Sequence, residues 1–236
     1  MEKEYKVPKR KQPIFKIVKG FFSLFFKCDV VYEDENVPEK AIVLANHSAK
    51  SGPMSIEINY PNFNVKWGAH QMLGNYKSRF KYLRDVLYMQ KIGKKKFPAT
   101  IKAFFEAIFS KMLYKGMKFL PTYQDAKLSK TIKNSAKVLD ANMSIMIFPE
   151  NSNTGYHDEL IEVFGGFILL SDYYYKKTGV DLPVIPVYYH KKSKKIFVGK
   201  CSYIQKLKQE GMSRDGICEY YKNEINSLYY KYILNQ

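Results

Sequence analysis

Two polar segments carry the side chains that could do chemistry, and each closes an apolar run typical of a buried strand. His47 comes shortly after residues 41–44, and Glu150 shortly after residues 144–147. Ligands of open α/β sheets bind beyond the carboxyl ends of such strands, so a shared pocket is predicted although about 100 residues separate the two. Histidine suits removal of a proton from a hydroxyl because its ordinary pKa, about 6.5, lies near neutral pH. On context alone, His47 could equally be a hydrogen-bonding residue at a strand end, and Glu150 a carboxylate that caps a turn.

The sequence around both positions resembles the motifs of the glycerolipid acyltransferase family, which includes the 1-acylglycerol-3-phosphate acyltransferases. The first family motif is Asn-His, four variable residues and Asp; Asn46 to Gly52 read Asn-His-Ser-Ala-Lys-Ser-Gly. The third, Phe-Pro-Glu-Gly-Thr-Arg, is similar to Phe148 to Asn153, which read Phe-Pro-Glu-Asn-Ser-Asn. An apolar strand with a proline is matched by residues 184–187, and the resemblance covers roughly residues 31–198.

The resemblance implies an α/β domain that transfers an acyl group, with His47 as the base that takes the proton of the acceptor hydroxyl. It assigns the following residues to the site: His47 as catalytic base; Asn46, Ser48, Ser51 and Gly52 as its first-motif neighbours; and Glu150, Asn151, Ser152, Asn153 and Gln124 as acceptor-binding residues.

The chain departs from the family pattern where an acid would orient the imidazole. The family aspartate falls on Gly52, which has no side chain for this task. In a serine-protease triad, neutralising the corresponding acid costs about 10⁴-fold in rate. Either another group substitutes, with Asp125, Glu57 or a backbone carbonyl as candidates, or the chain is a slow or inactive relative that still binds lipid.

Two family arginines are also replaced. The second-motif arginine falls on Gln124 and the third-motif arginine on Asn153. Neutral side chains predict a weaker grip on a phosphate, so the acceptor could be a lysophospholipid, a glycolipid or another hydroxyl compound. Lys118 and Lys127 are candidates to compensate.

The charge of the chain favours an acidic partner. The formal net charge is +17, and only four of the 39 basic residues are arginine. Lysine lacks the bidentate fork of arginine, so this charge suits diffuse attraction to anionic lipid, acidic acyl carrier protein or CoA better than base reading in nucleic acid. The thioester donor is a substrate, and we expect no metal or redox cofactor. Three scattered cysteines predict reduced thiols, and the four histidines have no metal-ligand spacing.

The N-terminal segment predicts an amphipathic helix with an aromatic face. After Pro13, apolar residues recur at spacings of three and four up to Phe26, with lysines interspersed. Such a helix could dock in a membrane interface or cover one face of the sheet. The apolar stretch 20–26 is too short for a signal peptide or a membrane span, so we expect a protein on the cytoplasmic face of the membrane.

The remaining pattern alternates strands and helices, which favours a largely parallel sheet flanked by helices. We divide the chain into a basic arm with the docking helix, residues 1–27, and an acyltransferase-like α/β domain, residues 28–236. A second amphipathic helix after Pro98 has a stripe of phenylalanine and isoleucine that an ordinary core helix would explain. The alternative is an insertion that lines an acyl-chain groove or touches lipid. The predicted strands are 29–32, 41–45, 64–69, 117–120, 144–148, 184–189 and one near 196–199 or 202–204. One further helix is predicted to begin near Pro53, with Ser51 as its N-cap, and others at about 75–90, 126–141 and 213–233.

These inferences converge on a fatty acyl transfer from acyl carrier protein or CoA to a hydroxyl of a lysophospholipid or related lipid, within phospholipid metabolism. A catalytically inactive, membrane-associated lipid-binding protein of the same fold is the alternative.

Overall fold

A mixed, mostly parallel sheet forms the centre of the computed structural model, which describes residues 5–9, 12–48, 51–123 and 125–235. Within these residues the strand order is β1-β7-β6-β2-β5-β3-β4, with β8 paired to β6. Strand β7 runs antiparallel to β6, as does β8, and the other neighbours are parallel. The strands are β1 (Asp29–Tyr32), β2 (Ile42–Ala45), β3 (Asn64–Ala69), β4 (Phe119–Thr122), β5 (Ser144–Ile147), β6 (Pro183–His190), β7 (Lys195–Val198) and β8 (Ser202–Tyr203).

Helices cover both faces of this sheet. They are α1 (Pro13–Phe26), α2 (Ser51–Asn59), α3 (His70–Leu73), α4 (Tyr76–Lys81), α5 (Lys96–Gly116), α6 (Leu128–Asp140), α7 (Gly166–Thr178), α8 (Ile204–Gln209) and α9 (Arg214–Tyr229), and π-helical turns extend α4 over Tyr82–Lys91 and α9 over Tyr230–Leu234. None of the helices in the described ranges is both long and apolar enough to cross a bilayer.

The central strands are buried on both sides because each face packs against helices. Every residue of β2 and β5 is buried, as expected for apolar strands in the middle of a parallel sheet. On one face, Val43 and Val187 pack with Ile56 and Tyr60, which belong to α2 and its end. The opposite face holds the larger core, to which α6, α7 and α9 contribute. The sheet is therefore a rigid support for whatever follows the strand ends.

A third apolar cluster lies outside the two faces of the sheet. It joins α3, the π-helical turn after α4 and α5, with Met72, Leu83, Leu87 and Tyr88 around the alanines of α5. The helix after Pro98 therefore exists, but it begins at Lys96 and its phenylalanine stripe is not a core stripe. The alanines are buried, whereas Phe104, Phe105 and Phe109 are exposed.

Several predicted boundaries are wrong for local reasons. The strand predicted at 117–120 begins at Phe119, because Met117 caps the end of α5 and Lys118 adopts a left-handed conformation with φ of 56°. Both proposed last strands exist, as β7 and β8. Helix α7 was not predicted, although it buries Phe167, Leu170 and Tyr174 at helical spacing.

Helix α1 is present as a helix, and contacts at both ends hold it against the domain, since Asn59 Nδ2 donates to the carbonyl oxygen of Phe26 at 2.7 Å. Phe15 is buried and its ring lies against Gly116, the last residue of α5. Farther along, Phe21, Leu24 and Phe25 are more than 60% exposed. The division at residue 27 stays a prediction, and so does membrane docking by this helix.

Candidate active site

The pairing of β2 with β5 brings His47 and Glu150 together. Leu44 is the register partner of Ile147, and His47 and Glu150 each follow these residues by three positions, so they leave the sheet at equivalent points. The backbone N–H of His47 donates to Oε2 of Glu150 at 3.1 Å. The two residues predicted to share a pocket are therefore in direct contact.

Asn46 ties the end of β2 to its other neighbour, β6. Its Nδ2 donates to the Tyr189 carbonyl oxygen at 3.0 Å, and its Oδ1 accepts the Tyr189 N–H at 2.7 Å. The side chain is buried, so these two bonds satisfy backbone groups that would otherwise lack partners. The structure gives Asn46 a positioning role, holding the segment that carries His47.

Two aromatic rings pack on the imidazole of His47. The Tyr156 ring is stacked, with centroids 5.1 Å apart and planes inclined by 25°. The Phe148 ring meets the imidazole edge-on at 5.0 Å and 65°. His47 as a whole residue is partly exposed, and its Nδ1 atom is buried.

The turn after His47 explains why position 52 is glycine. A Cβ on Gly52 would lie 2.1 Å from the carbonyl oxygen of His47, a distance that only displacement of backbone could relieve. Ser48 has φ of 40°, and Ser51 Oγ donates to its carbonyl oxygen at 2.9 Å. Ser51 is the first residue of α2 and not the cap predicted before Pro53. In this turn the family's aspartate has no room.

Glu150 is buried near Lys91 and His157, and the backbone N–H groups of His47 and His157 donate to it. It is 8% exposed. Burial raises the pKa of Glu150, and the backbone N–H of His47 and the ammonium of Lys91 oppose that rise. Burial also lowers the pKa of Lys91, which the carboxylate of Glu150 opposes. The Lys91 ammonium donates to Ser152 Oγ at 2.6 Å and lies 5.8 Å from the centroid of the Tyr156 ring.

The other predicted acceptor residues have different surroundings. Asn151 Nδ2 donates to Oε2 of Glu162 at 2.7 Å, and the Asn151 N–H donates to the Glu162 carbonyl oxygen. Asn153 is exposed, and its N–H donates to Asn151 Oδ1 at 3.3 Å. Ser152 is buried against Lys91. Gln124 lies outside the described residues.

The candidate substitute acids are held elsewhere. Asp125 is exposed, and its Oδ1 accepts the N–H of Lys127 at 2.8 Å in a local turn after β4. That strand is separated from β2 by β5 and β3. Glu57 is bonded to the fully buried Lys66 and lies 3.7 Å from Lys118 Nζ and 3.6 Å from Lys19 Nζ. Lys118 is therefore engaged by Glu57, away from its predicted role at a phosphate.

A cavity of about 580 Å³ accompanies this second charge cluster. It is lined by α1, Glu57, Lys118 and the loop from Tyr60 to Asn64. Neither His47 nor Glu150 is among the residues that line it. The size of a cavity alone therefore does not identify the candidate active site, and the titratable pair of His47 and Glu150 is the better indicator.

Three residues at this site were missed by the sequence reasoning. Lys91 is one of 35 lysines and lies in a helical segment, so nothing in its context marks it. Tyr156 follows a glycine in an irregular loop. Phe148 was noticed only as part of a motif. Their proximity to His47 is decided by how the loop 151–165 and the π-helical turn fold over the strand ends.

Comparison with known proteins identifies a similar fold. No family model matches the chain, and no curated protein matches its sequence. A crystal structure of the 1-acyl-sn-glycerophosphate (LPA) acyltransferase PlsC from Thermotoga maritima is similar, with a TM-score of 0.53 and 13% sequence identity. The similarity covers 91% of this chain and 78% of that chain. At this identity it shows a shared fold, a mostly parallel sheet flanked by helices.

The buried carboxyl group of Glu150 predicts a pH-dependent effect of its replacement. Because the pKa is raised in the folded state, ionisation costs stability as the pH rises through the folded pKa. Glu150→Gln keeps an oxygen that can accept the His47 N–H, so its free energy of unfolding should match wild type below pH about 4.3, the ordinary glutamate pKa. Toward neutral pH the free energy of unfolding of the variant should exceed that of wild type. Urea unfolding below the ordinary glutamate pKa and at neutral pH measures this difference in stability. A variant that becomes less stable than wild type as the pH rises would contradict the prediction.

Proposed function

We propose that this protein is an acyltransferase that moves a fatty acyl group from a thioester donor to a hydroxyl of a lysophospholipid or related lipid. The observation that carries the proposal is the contact of His47 with Glu150 at the carboxyl ends of β2 and β5. A fold shared with an LPA acyltransferase supports it. The motif resemblance adds that the paired histidine is the reactive group.

The proposed reaction needs one proton transfer and one exchange at a carbonyl carbon. His47 accepts the proton of the acceptor hydroxyl while its oxygen attacks the thioester carbonyl. A carbon–oxygen bond forms, the carbon–sulfur bond breaks, and the thiolate leaves. The imidazolium returns the proton to the thiolate, so neither a metal nor a redox cofactor enters the balance.

The orientation of the imidazole is the unusual part of the proposal. Gly52 cannot carry the family's acid, because a side chain there would meet the His47 carbonyl oxygen. We assign the positioning role to Tyr156 and Phe148, whose rings contact the imidazole from two directions. An aromatic face also favours a cation, so the stacked Tyr156 ring stabilises the imidazolium as it forms. Glu150 holds the backbone of His47 in place.

Lys91 is our candidate for the cation that meets an acidic acceptor. It lies beside Ser152 and Tyr156, and the latter stacks on His47. A lysine binds phosphate as a point charge, without the bidentate geometry of the family arginines. We therefore propose an acceptor with a phosphate, and an acyl carrier protein or CoA donor attracted by the basic surface.

A catalytically silent lipid-binding protein is the second candidate, and the Gly52 turn is the observation that favours it. The absence of space for a carboxylate there removes the usual orienting group. Asp125 and Glu57 are bonded to other partners. The two candidates differ in whether His47 matters for turnover.

The His47→Ala variant separates the two functions. If His47 is the base, acyl transfer to lysolipids from labelled acyl donors should fall by at least about 100-fold, within the usual range for general-base catalysis. The matched control is His70→Ala, an exposed histidine that stacks on Tyr123. Equal low rates in wild type and His47→Ala, with binding to lipid vesicles intact, would favour the silent protein.

The Lys91→Met variant tests acceptor charge. Loss of one charge-assisted contact should raise the KM for lysophosphatidic acid about tenfold and leave the KM for neutral monoacylglycerol unchanged. Lys91→Arg should retain most of the affinity. Lys95→Met, an exposed lysine nearby, is the control. A rise in KM for both acceptors would count against phosphate recognition.

We also propose that α1 docks the protein on the cytoplasmic face of the membrane. Its exposed Phe21, Leu24 and Phe25 form an apolar face, and the exposed Lys16 can extend to anionic headgroups. Phe21→Gln with Phe25→Gln should reduce co-sedimentation with anionic vesicles by about tenfold. Val180→Gln, at an exposed apolar position after α7, is the control. Unchanged binding would remove α1 from the membrane interface.

A further inference from the structure

Helix α5 has the reverse of the usual amphipathic arrangement. From Ala99 to Ser110 its inward face consists of small side chains, and Ala99, Ala103, Ala107 and Ser110 are buried. These residues repeat at spacings of three and four, so they form one stripe. The stripe packs on the π-helical turn after α4, where Leu83, Leu87 and Tyr88 provide the bulk. The core therefore uses only the alanine side of this helix.

The large apolar side chains of α5 face outward. At about 100° per residue they occupy an arc of roughly 140°. Their exposures range from 45% to 76%, which is far more than a folded chain leaves on a helix face that packs internally. The exposed residues are Phe97, Ile101, Phe104, Phe105, Ile108, Phe109 and Met112.

The charges around this face are positive. Lys102 and Lys111 are exposed, and at about 100° per residue they lie at the two edges of the apolar arc. Within α5 the acidic residue is Glu106, and its carboxylate accepts a hydrogen bond from the Tyr88 hydroxyl. Aromatic and aliphatic side chains bordered by lysines match an interface in which acyl chains lie beneath anionic headgroups, because the long lysine stems allow the ammonium to reach those headgroups.

We propose that this face of α5 inserts into the interface of an anionic bilayer, as a docking element separate from α1. The two helices meet where the Phe15 ring contacts Gly116. Charge complementarity selects anionic lipid as the partner over a second copy of this strongly basic chain, since two copies would repel each other.

Helix α5 is connected to the candidate site through Tyr156. Tyr156 packs against the same cluster as the alanine stripe, and its ring also stacks on the imidazole of His47. Tyr156 therefore contacts both the cluster on which α5 packs and the candidate base. The inference deepens the proposed membrane association and rests on it for the choice of partner. It does not depend on acyl transfer.

Insertion can be measured directly with a tryptophan placed on the face. The chain has one tryptophan, Trp67, which is 8% exposed and provides a buried background signal. In Phe105→Trp, vesicles of phosphatidylglycerol with brominated acyl chains should quench the added fluorescence. In Tyr173→Trp, an exposed position on α7, they should not. Absence of quenching in Phe105→Trp while the protein binds the vesicles would overturn the proposal.

A surface variant tests the contribution to affinity. The triple change Phe104→Gln, Phe105→Gln and Phe109→Gln should weaken co-sedimentation with phosphatidylglycerol vesicles by more than about tenfold. Because the side chains are exposed, its melting temperature should match wild type. Activity toward a micellar acceptor should be retained, which distinguishes loss of docking from failure of the proposed reaction. Full vesicle binding by this variant, or a wild-type dimer that the variant abolishes in sedimentation equilibrium, would overturn the proposal.

Discussion

The parallel pairing of β2 with β5 is the constraint on which the candidate site depends. Both strands are buried along their whole length, so their register cannot slip without exposing apolar side chains or placing polar groups in the core. With Leu44 opposite Ile147, the chain must release His47 and Glu150 at the same level. The buried carboxylate then finds a partner in the His47 N–H. Asn46 secures the other side through β6, so three strands contribute to the position of one imidazole.

This arrangement replaces one means of holding a histidine with another. In the family motif an acid would reach the ring from the position of Gly52, whereas here the turn brings that position against the His47 carbonyl oxygen. Aromatic contacts from Phe148 and Tyr156 take up the space around the ring. Packing can fix the orientation of an imidazole, but it cannot supply a full counter-charge. This difference is what separates the proposed acyltransferase from the proposed silent lipid-binding protein.

The distribution of large and small side chains on each helix indicates what that helix contacts. Helices α6, α7 and α9 turn their apolar residues toward the sheet and contribute to the larger core. Helix α5 turns alanine inward and phenylalanine outward. Because apolar surface in water is costly, this exposed aromatic face on a basic protein is the observation from which docking on an anionic bilayer is proposed.

Strand identity, the α/β class and the two strand-end residues could all be predicted from local sequence, because apolar runs and motif spacing are local properties. The mostly parallel sheet was predicted correctly, since alternating elements leave few topologies. Local sequence could not show which face of α5 is buried, because the same stripe fits a core helix or an exposed one until the neighbouring helices are placed. Nor could it select Lys91 and Tyr156, whose approach to His47 depends on contacts between segments far apart in the chain. The residue types available for chemistry were thus determined by the sequence itself, whereas their neighbours, their burial and the pKa of Glu150 were decided only by tertiary packing.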